Sequence, residues 1–401
     1  LSRAGQEGEI LKVAMFADSF YPTVDGAIVS METQIKGLEA KGHEVVVFAP
    51  DTPHRPDYPR TVHYFPSIEF RSYKGYRIIY AAPTMMECIR KEKVDVLHCH
   101  GVASMAILSL TAARALEIPH LITFHTMANE AVKYYSFLPM RDDLLVPSVW
   151  IYLRNMMKRS EVVIAPSAPI KEELLANRVK MNACEVVPTG VDLMRFSPKN
   201  YDRNFLVRYG LDGHRVVLHV GRLSMEKRLD IVLKAMVRLK QEEPDVRLLV
   251  AGQGPAYDHY RSMAQSLGIA DRVVFAGFLP DEDLPKAYAT CDMLALASTF
   301  ETQGLVVLEA LASGTPVAGI RCRAIPEFIN EGKNGCLFEE DSCAEGIRRC
   351  LARASSMKMN AVVSARDYSV DACTTKLLKA YDLAADILAK DTGFKFWSRK
   401  S

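Results

Sequence analysis

RVVLHVGRLSMEKRLDIVLKAMVRLKQEEPDVRLLVAG, residues 215–252, decides the fold. A β-branched apolar run (215–221) ends in Gly. A segment with apolar residues three or four apart follows (227–242), and then a second apolar run ends in Gly (246–252). The runs are continuous rather than alternating, which marks strands covered on both faces, and the intervening helix makes the strands parallel. The rhythm continues downstream with a helix at 257–267 and strands at RVVFAG (272–277), DMLALAS (292–298) and TPVAGI (315–320). Upstream it runs through LKVAMF (11–16), HEVVVFAP (43–50), VDVLHCH (94–100), HLITFH (120–125), EVVIAP (161–166) and CEVVP (184–188), with helical spacing at 27–41, 102–116 and 167–177. Between the two series PTGVDLMRFSPKN (188–200) has no periodicity and reads as a linker. The expectation is an α/β protein of two doubly wound Rossmann-like domains, 1–196 and 197–379, facing an interdomain cleft. A last helix at about 380–401 returns to the first domain. Ligands of such sheets sit beyond the carboxyl ends of the strands.

Composition excludes several classes. The 401 residues are 49% hydrophobic and 24% charged, the balance of a folded chain. Fifty Lys and Arg against 48 Asp and Glu leave +2, so no bulk attraction to nucleic acid is expected. No apolar run reaches the roughly 18 residues of a membrane span, and the start LSRAGQEGE lacks the pattern of a secretory signal. Nine scattered cysteines without a Cys-x-x-Cys pair fit a reducing cytosol, and Cys336, Cys343 and Cys350 read as one side of a helix.

Four loops carry candidate chemistry. In HVGRLSMEKRLDIV (219–232), Arg222 and Lys227 follow Gly221 at a helix start, where cations oppose the macrodipole unless an anion lies between them. A diphosphate fits, gripped by Arg and balanced by the point charge of Lys. In ASTFETQGLVVLEALASGTPVAG (297–319), Glu301 closes a loop, Gly304 opens a helix, and Glu309 lies eight residues after Glu301. Helix-start amides near Gly304, Leu305 and Val306 suit a phosphate, with a carboxylate on either side for hydroxyls. A sugar nucleotide has that layout. His125 ends the strand HLITFH, where it reads either as a ligand to substrate hydroxyls or as a satisfied buried histidine. Asp25-Gly26 precedes a helix, so Gly26 either admits an anionic group or forms an ordinary turn. AGQGP (251–255) lacks the spacing of a dinucleotide fingerprint and reads as a plain turn.

With these loops in place, the sequence resembles retaining GT-B glycosyltransferases of glycosyltransferase family 4, from about Lys12 to the last helix. ETQGLVVLEALASGTPVA together with VGRLSMEK carries the likeness most specifically; PTGVD, AGQGP and AGFLPDEDLPKAYATCD fill other family positions. The resemblance implies that Arg222 and Lys227, after Gly221, hold the donor diphosphate, and that Glu309 holds the ribose hydroxyls. Glu301 then binds the hexose with help from amides at Leu305 and Val306. The base lies against Gly277, Phe278 and Leu279, Gly26 lets the first loop approach, and His125 faces the sugar. The departing diphosphate takes the acceptor proton on the same face, giving retention without a protein nucleophile. No cofactor or metal is implied, since the cations supply the positive charge; Asp281-Glu282-Asp283 reads as a helix N-terminal acidic cluster.

Asp25-Gly26 in place of Gly-Gly, Thr302-Gln303 in place of Gly-Phe, and FHTMANEAVKYYSFLP (124–139) look like the branch of diacylglycerol glucosyltransferases. RCRAIPEF (321–328), with Glu327, replaces the common Gly-Gly-x-x-Glu. The donor implied is a nucleotide sugar, UDP-hexose in preference to GDP-hexose. Residues 54–80 interleave aromatics with five bases: His54, Arg55, Tyr58, Arg60, Tyr64, Phe65, Phe70, Arg71, Tyr73, Lys74, Tyr76 and Arg77. LLVPSVWIYLRNMMKRS (144–160), whose apolar residues read either this way or as plain core, and FKFWSRKS (394–401) add further such elements. These suit an anionic membrane surface, a lipid acceptor and a cytoplasmic enzyme peripheral to the inner face of the membrane. A transferase with a soluble sugar or polysaccharide acceptor, or a GT-B sugar-nucleotide epimerase, would share the donor residues.

Overall fold

A computed structural model describes residues 10–22, 25–53, 55, 57–69, 77–80, 82–125 and 142–392. The chain forms two units, Leu1–Gly190 with Cys373–Ser401, and Val191–Ala372. The boundaries expected after 196 and 379 thus fall at Gly190 and Ala372.

The first unit is built on a seven-stranded parallel sheet. Its chain order is β1 (Lys12–Phe16), α1 (Gly26–Ala40), β2 (Glu44–Pro50), β3 (Val62–Phe65), the hairpin strands β4 (Ser67–Glu69) and β5 (Arg77–Ile79), and α2 (Ala82–Glu92). Then come β6 (Val96–Cys99), α3 (Ser104–Leu116), β7 (His120–Thr123), α4 (Asp142–Met157), β8 (Val162–Ala165), α5 (Ala168–Ala176) and β9 (Cys184–Val186). The spatial order β3-β2-β1-β6-β7-β8-β9 reverses direction between β1 and β6. β6, β7 and β8 are buried throughout, as their continuous apolar runs require. Phe16 stacks on Phe48 at 4.7 Å and Phe48 on Phe65 at 5.9 Å.

The second unit carries α6 (Arg203–Arg208), β10 (Arg215–Val220), α7 (Leu229–Glu242), β11 (Val246–Ala251), α8 (Tyr257–Ser266) and β12 (Val273–Gly277). It continues with α9 (Asp283–Thr290), β13 (Met293–Leu296), α10 (Leu305–Ala312), β14 (Val317–Ile320), α11 (Ile325–Phe328), β15 (Gly335–Phe338) and α12 (Cys343–Ala365). Its six parallel strands run β12-β11-β10-β13-β14-β15, the doubly wound order with its switch between β10 and β13. A final helix, α13 (Val370–Thr392), begins ten residues before the expected 380. It seats Leu377, Ala380, Tyr381 and Ala384 in the core of the first unit, beside Ile28, Met31 and Ile35 of α1. Tyr381 is fully buried, and its hydroxyl pairs with His98 Nδ1 at 2.9 Å.

Four strands escape the sequence rhythm for identifiable reasons. β3 is a half-exposed edge, and β4 and β5 have three residues each. β15 begins with Gly335 because a Cβ there would lie 2.2 Å from the Val317 carbonyl oxygen of the neighbouring strand. Cys336 belongs to this strand, while Cys343 and Cys350 lie on α12, so the three cysteines do not share one helix face.

Candidate active site

In the second unit the loops after β10 and β13 leave the sheet on either side of the switch point. The β10 loop rests on the β11 loop through backbone contact. Gly221 N–H donates to Ala251 O at 3.0 Å, Leu223 N–H to Gln253 O at 3.0 Å, and Ala256 N–H to Leu223 O at 2.9 Å. A Cβ on Gly252 would come within 1.9 Å of Gly221 O, and one on Gly254 within 2.3 Å of Leu223 O. The glycines of AGQGP therefore do more than turn the chain. They let two loops touch backbone to backbone and suspend Arg222 between two fixed hydrogen bonds. Arg222 is exposed and makes no ion pair among the described residues, whereas the other cations of the loop are engaged. Arg228 pairs with Asp230 at 3.1 Å and Glu340 at 2.5 Å.

Lys227 lies in a short 3-10 turn, Met225–Lys227, and its Nζ donates to Glu301 Oε1 at 2.8 Å. The sequence reading assigned these two residues separate tasks, and the structure brings them together across the switch point. The pair is mostly buried, at 24% and 13% side-chain exposure, so solvent screens it weakly. An ammonium carries three donors, and this contact uses one. Gly304 takes φ +85, a left-handed turn that aims the chain into α10, and a Cβ there would lie 3.8 Å from the Glu301 stem. Leu305 and Val306, both half-buried, open α10, where first-turn amides have no intrahelical acceptor.

Glu309, one turn further, accepts from the Tyr288 hydroxyl at 2.7 Å. Burial raises the Glu309 carboxyl above its ordinary 4.5, with the Tyr288 hydroxyl and nearby Arg195 pulling it back. Tyr288 was not anticipated; an aromatic hydroxyl in the alanine-rich turn AYAT was the available signal. Gly277 takes φ +70 at the end of β12, Phe278 is 73% exposed, and Leu279 is buried in the core. His219 in β10 is buried near the charges of Lys227 and Glu301. Its Nδ1 faces Ala295 O at 3.2 Å, and burial lowers its pKa to about 4. Asp281 and Asp283 face Arg195 and Arg208 at 3.3 and 2.5 Å respectively.

In the first unit, Asp25 caps α1, accepting Ile28 N–H at 2.9 Å and the Ser19 hydroxyl at 3.0 Å. A Cβ on Gly26, the first residue of α1, would meet nothing within 4 Å, so packing among the described residues does not call for glycine there. Asp18 is buried at the end of β1 and caps α3, taking amides of Ala103 and Met105 at 2.9 Å each. His125, half-buried beyond β7, has its Nε2 3.0 Å from His100 Nδ1, and burial lowers its pKa to about 4. His98 and His100 alternate along one strand and so share a face, a pattern visible in VDVLHCH.

The basic-aromatic readings change. Arg55 is bidentate to Asp51 and lies over Tyr64; Arg60 grips Glu39; Arg77 Nε donates to Ser67 Oγ at 2.7 Å. Tyr58 bonds Glu32, and Phe65 is core. His54, Phe70, Arg71, Tyr73, Lys74 and Tyr76 lie outside the described residues, as do most of 124–139 and the tail 394–401. Trp150, Met156 and Met157 of α4 are buried in the first unit, and Tyr152 donates to Val102 O at 2.7 Å. They are core, because the inward face of α4 covers the sheet. Exposed among these stretches are Ile151, Lys158 and Arg159 and the hairpin, where cross-strand partners Ile68 and Ile78 are 65% and 46% exposed, followed by Tyr80 at 64%. No helix among the described residues is long and apolar enough to cross a membrane.

Residues 24–195 match the family described as Glycosyltransferase Family 4, and residues 206–365 match Glycosyl transferases group 1. The chain is 31% identical to an alpha-monoglucosyldiacylglycerol synthase of Streptococcus pneumoniae, over 90% of this chain and 83% of that one. It is 28% identical to a GDP-mannose-dependent alpha-mannosyltransferase of Mycolicibacterium smegmatis, over 94% and 96%. In fold it is similar to Anabaena HepE, solved in complex with UDP and glucose, with a TM-score of 0.74 at 19% identity over 93% of this chain and 99% of that chain. Two doubly wound units and these matches agree: the chain is a glycosyltransferase of the GT-B fold and belongs to glycosyltransferase family 4.

Proposed function

We propose that the enzyme moves a hexose from a UDP-sugar to a hydroxyl of a membrane lipid, with retention at the anomeric carbon and no divalent metal. The observation that carries this reading is the meeting of Lys227 and Glu301 across the β10/β13 switch, with Arg222 on the adjoining loop making no ion pair among the described residues. Arg222 and the two remaining donors of Lys227 take the diphosphate after Gly221. The amides of Leu305 and Val306, beyond Gly304, take the same charge or a hexose hydroxyl. Glu301 accepts from the hexose and Glu309 from the ribose, while the base lies along Gly277, Phe278 and Leu279. In the first unit, Gly26 admits the reacting groups and His125 bonds the hexose. Two cations and oriented amides stabilise the charge that develops on the departing phosphate, the task a metal performs elsewhere. That phosphate oxygen removes the acceptor proton on the face it leaves, so the new bond forms on the same face.

The lipid acceptor is supported by the name of the pneumococcal relative and by the apolar pair Ile68 and Ile78, and it places the enzyme peripherally on the inner face of a membrane. The mannosyltransferase relative makes a GDP-hexose the second donor to try. A thermal-shift screen of UDP-, GDP- and ADP-sugars with EDTA present tests the donor and the metal together. Stabilisation by UDP-sugars is expected, and a response that requires a divalent ion would refute the metal-free reading. Flotation with phosphatidylglycerol vesicles at low salt tests the surface. Binding by the wild type and loss in Ile68→Asp/Ile78→Asp are expected; no flotation by the wild type contradicts the lipid reading.

A further inference from the structure

The first unit holds a row of histidines that the donor reading leaves unexplained. His98 and His100 share a face of β6 and its extension, with ring centroids 4.3 Å apart. His100 in turn lies nearly parallel to His125, at 17° and 5.3 Å between centroids, with Nδ1 of the first 3.0 Å from Nε2 of the second. His98 is braced on both sides, by the Tyr381 hydroxyl at 2.9 Å and by Thr123 Oγ1 at 2.7 Å. The row is thus fixed behind His125.

Two neutral imidazole nitrogens at hydrogen-bond distance share one proton, and which ring owns it decides what the outer ring can do. Burial keeps both rings neutral at physiological pH, His125 at about 4 and His100 well below its ordinary value. His100 is 3% exposed, and its Nε2 has no hydrogen-bond partner among the described residues. If His125 donated, neutral His100 would carry its own proton on Nε2, a buried donor without an acceptor. If His100 donates from Nδ1, only a lone pair goes unused at Nε2, and buried acceptors tolerate this better than buried donors. His219 makes the same choice under compulsion: Nδ1 faces a carbonyl and must donate, so its Nε2, without a partner among the described residues, is a lone pair.

We propose that His100 is a positioning residue that donates from Nδ1 to His125 Nε2, fixing His125 as the Nδ1–H tautomer so that it offers a hexose hydroxyl a donor and not an acceptor. Only the last clause rests on the proposed function. The outer ring of the row would then recognise a sugar oxygen by its lone pair, and a pose offering only O–H to that ring would be rejected.

The test is a two-bond proton–nitrogen spectrum of the full chain with 15N-labelled histidine at pH 8, His125 being assigned from the His125→Gln spectrum. Wild type should show a protonated, pyrrole-type Nδ1 and a pyridine-type Nε2. His100→Asn places an amide donor where Nδ1 stood and should keep that pattern. His100→Asp places an acceptor there and should invert it. With UDP-glucose and diacylglycerol vesicles, His100→Asp should lower kcat by about tenfold or more at little change in donor KM, while His100→Asn stays within about threefold of wild type. An Nε2–H tautomer in the wild type overturns the proposal without any variant having to fold. Equal losses of kcat in the Asn and Asp variants overturn the positioning role. A wild type with the expected spectrum that turns over no nucleotide sugar refutes the proposed function and leaves the tautomer assignment standing.

Discussion

Replacing Gly252 with alanine should cripple donor handling without touching a residue that contacts the donor. The new Cβ would stand 1.9 Å from Gly221 O, whereas such contacts are essentially never closer than 3.0 Å. The β10 and β11 loops must therefore separate by roughly 1.1 Å, and Arg222 travels with Gly221. A displacement of about 1 Å in a charge-stabilising group costs about 10²-fold, or about 2.7 kcal/mol of transition-state binding. The backbone also stays at φ +145, which an alanine adopts at a cost of about 1–3 kcal/mol in stability. Gly268→Ala separates the two effects. It sits at φ +66 with nothing within 4 Å of its Cβ, so it carries strain without moving a loop. The assays are calorimetric binding of UDP, steady-state transfer from UDP-glucose, and a thermal melt for each variant. Both variants should melt earlier, and only Gly252→Ala should lose about two orders of magnitude in kcat/KM. A folded Gly252→Ala with UDP affinity and kcat/KM within about threefold of wild type would refute the idea that the glycine pair positions Arg222.

Lys227→Ala removes a charge-assisted contact of ~1.5–3 kcal/mol and leaves Glu301 half-buried without its ammonium, so transfer should fall roughly 10- to 150-fold; near-normal turnover on a defined donor and acceptor would contradict its role. Tyr288→Phe should make stability more sensitive to alkali. Burial already raises the Glu309 pKa in the folded state, which favours folding below about pH 4.5 and is lost as pH rises through the raised value, and loss of the hydroxyl raises it further. The gap in Tm between this variant and wild type should therefore be small at pH 4 and larger at pH 7.5, and a constant gap would count against the Glu309 contact. Acid acts in the opposite sense on the buried histidines. His98 and His120 are lowered to about 3 and His219 to about 4, so their stabilising effect is present above pH 6.5 and lost as pH falls. Each can remove up to about 1.4 kcal/mol per pH unit in that window, and urea melts at pH 7 and pH 5 should differ accordingly; equal midpoints would contradict the neutral buried rings.

The fold was legible because the strands are buried on both faces: runs such as RVVLHV and VRLLVA are dominated by apolar residues on both alternating faces, with few polar residues among them. Edge and hairpin strands have no such run, and β15 starts with a glycine demanded by its neighbour, so a rhythm of apolar runs passes over them. In the candidate site, spacing against helix starts singles out Arg222, Lys227, Glu301 and Glu309. Their pairings could not, because Lys227 with Glu301 and Tyr288 with Glu309 join loops and helices separated by 74 and 21 residues. AGQGP reads as a turn in isolation, and its second purpose exists only against Gly221 and Leu223. The basic-aromatic stretch shows the converse. Sequence counts charges, but Arg55 and Arg60 are already held by Asp51 and Glu39. Trp150 and Met157, which the sequence sets among basic residues, are core.

The central claim is retaining transfer of a hexose at the Arg222, Lys227 and Glu301 site. The most direct measurement is the anomeric configuration of the lipid product formed from UDP-glucose and diacylglycerol vesicles in the presence of EDTA, read by proton NMR, with Arg222→Ala alongside. The account predicts an α-linked glucolipid that falls sharply in the variant. A β-linked product, or no transfer from UDP- or GDP-hexoses to any lipid tried, would contradict it.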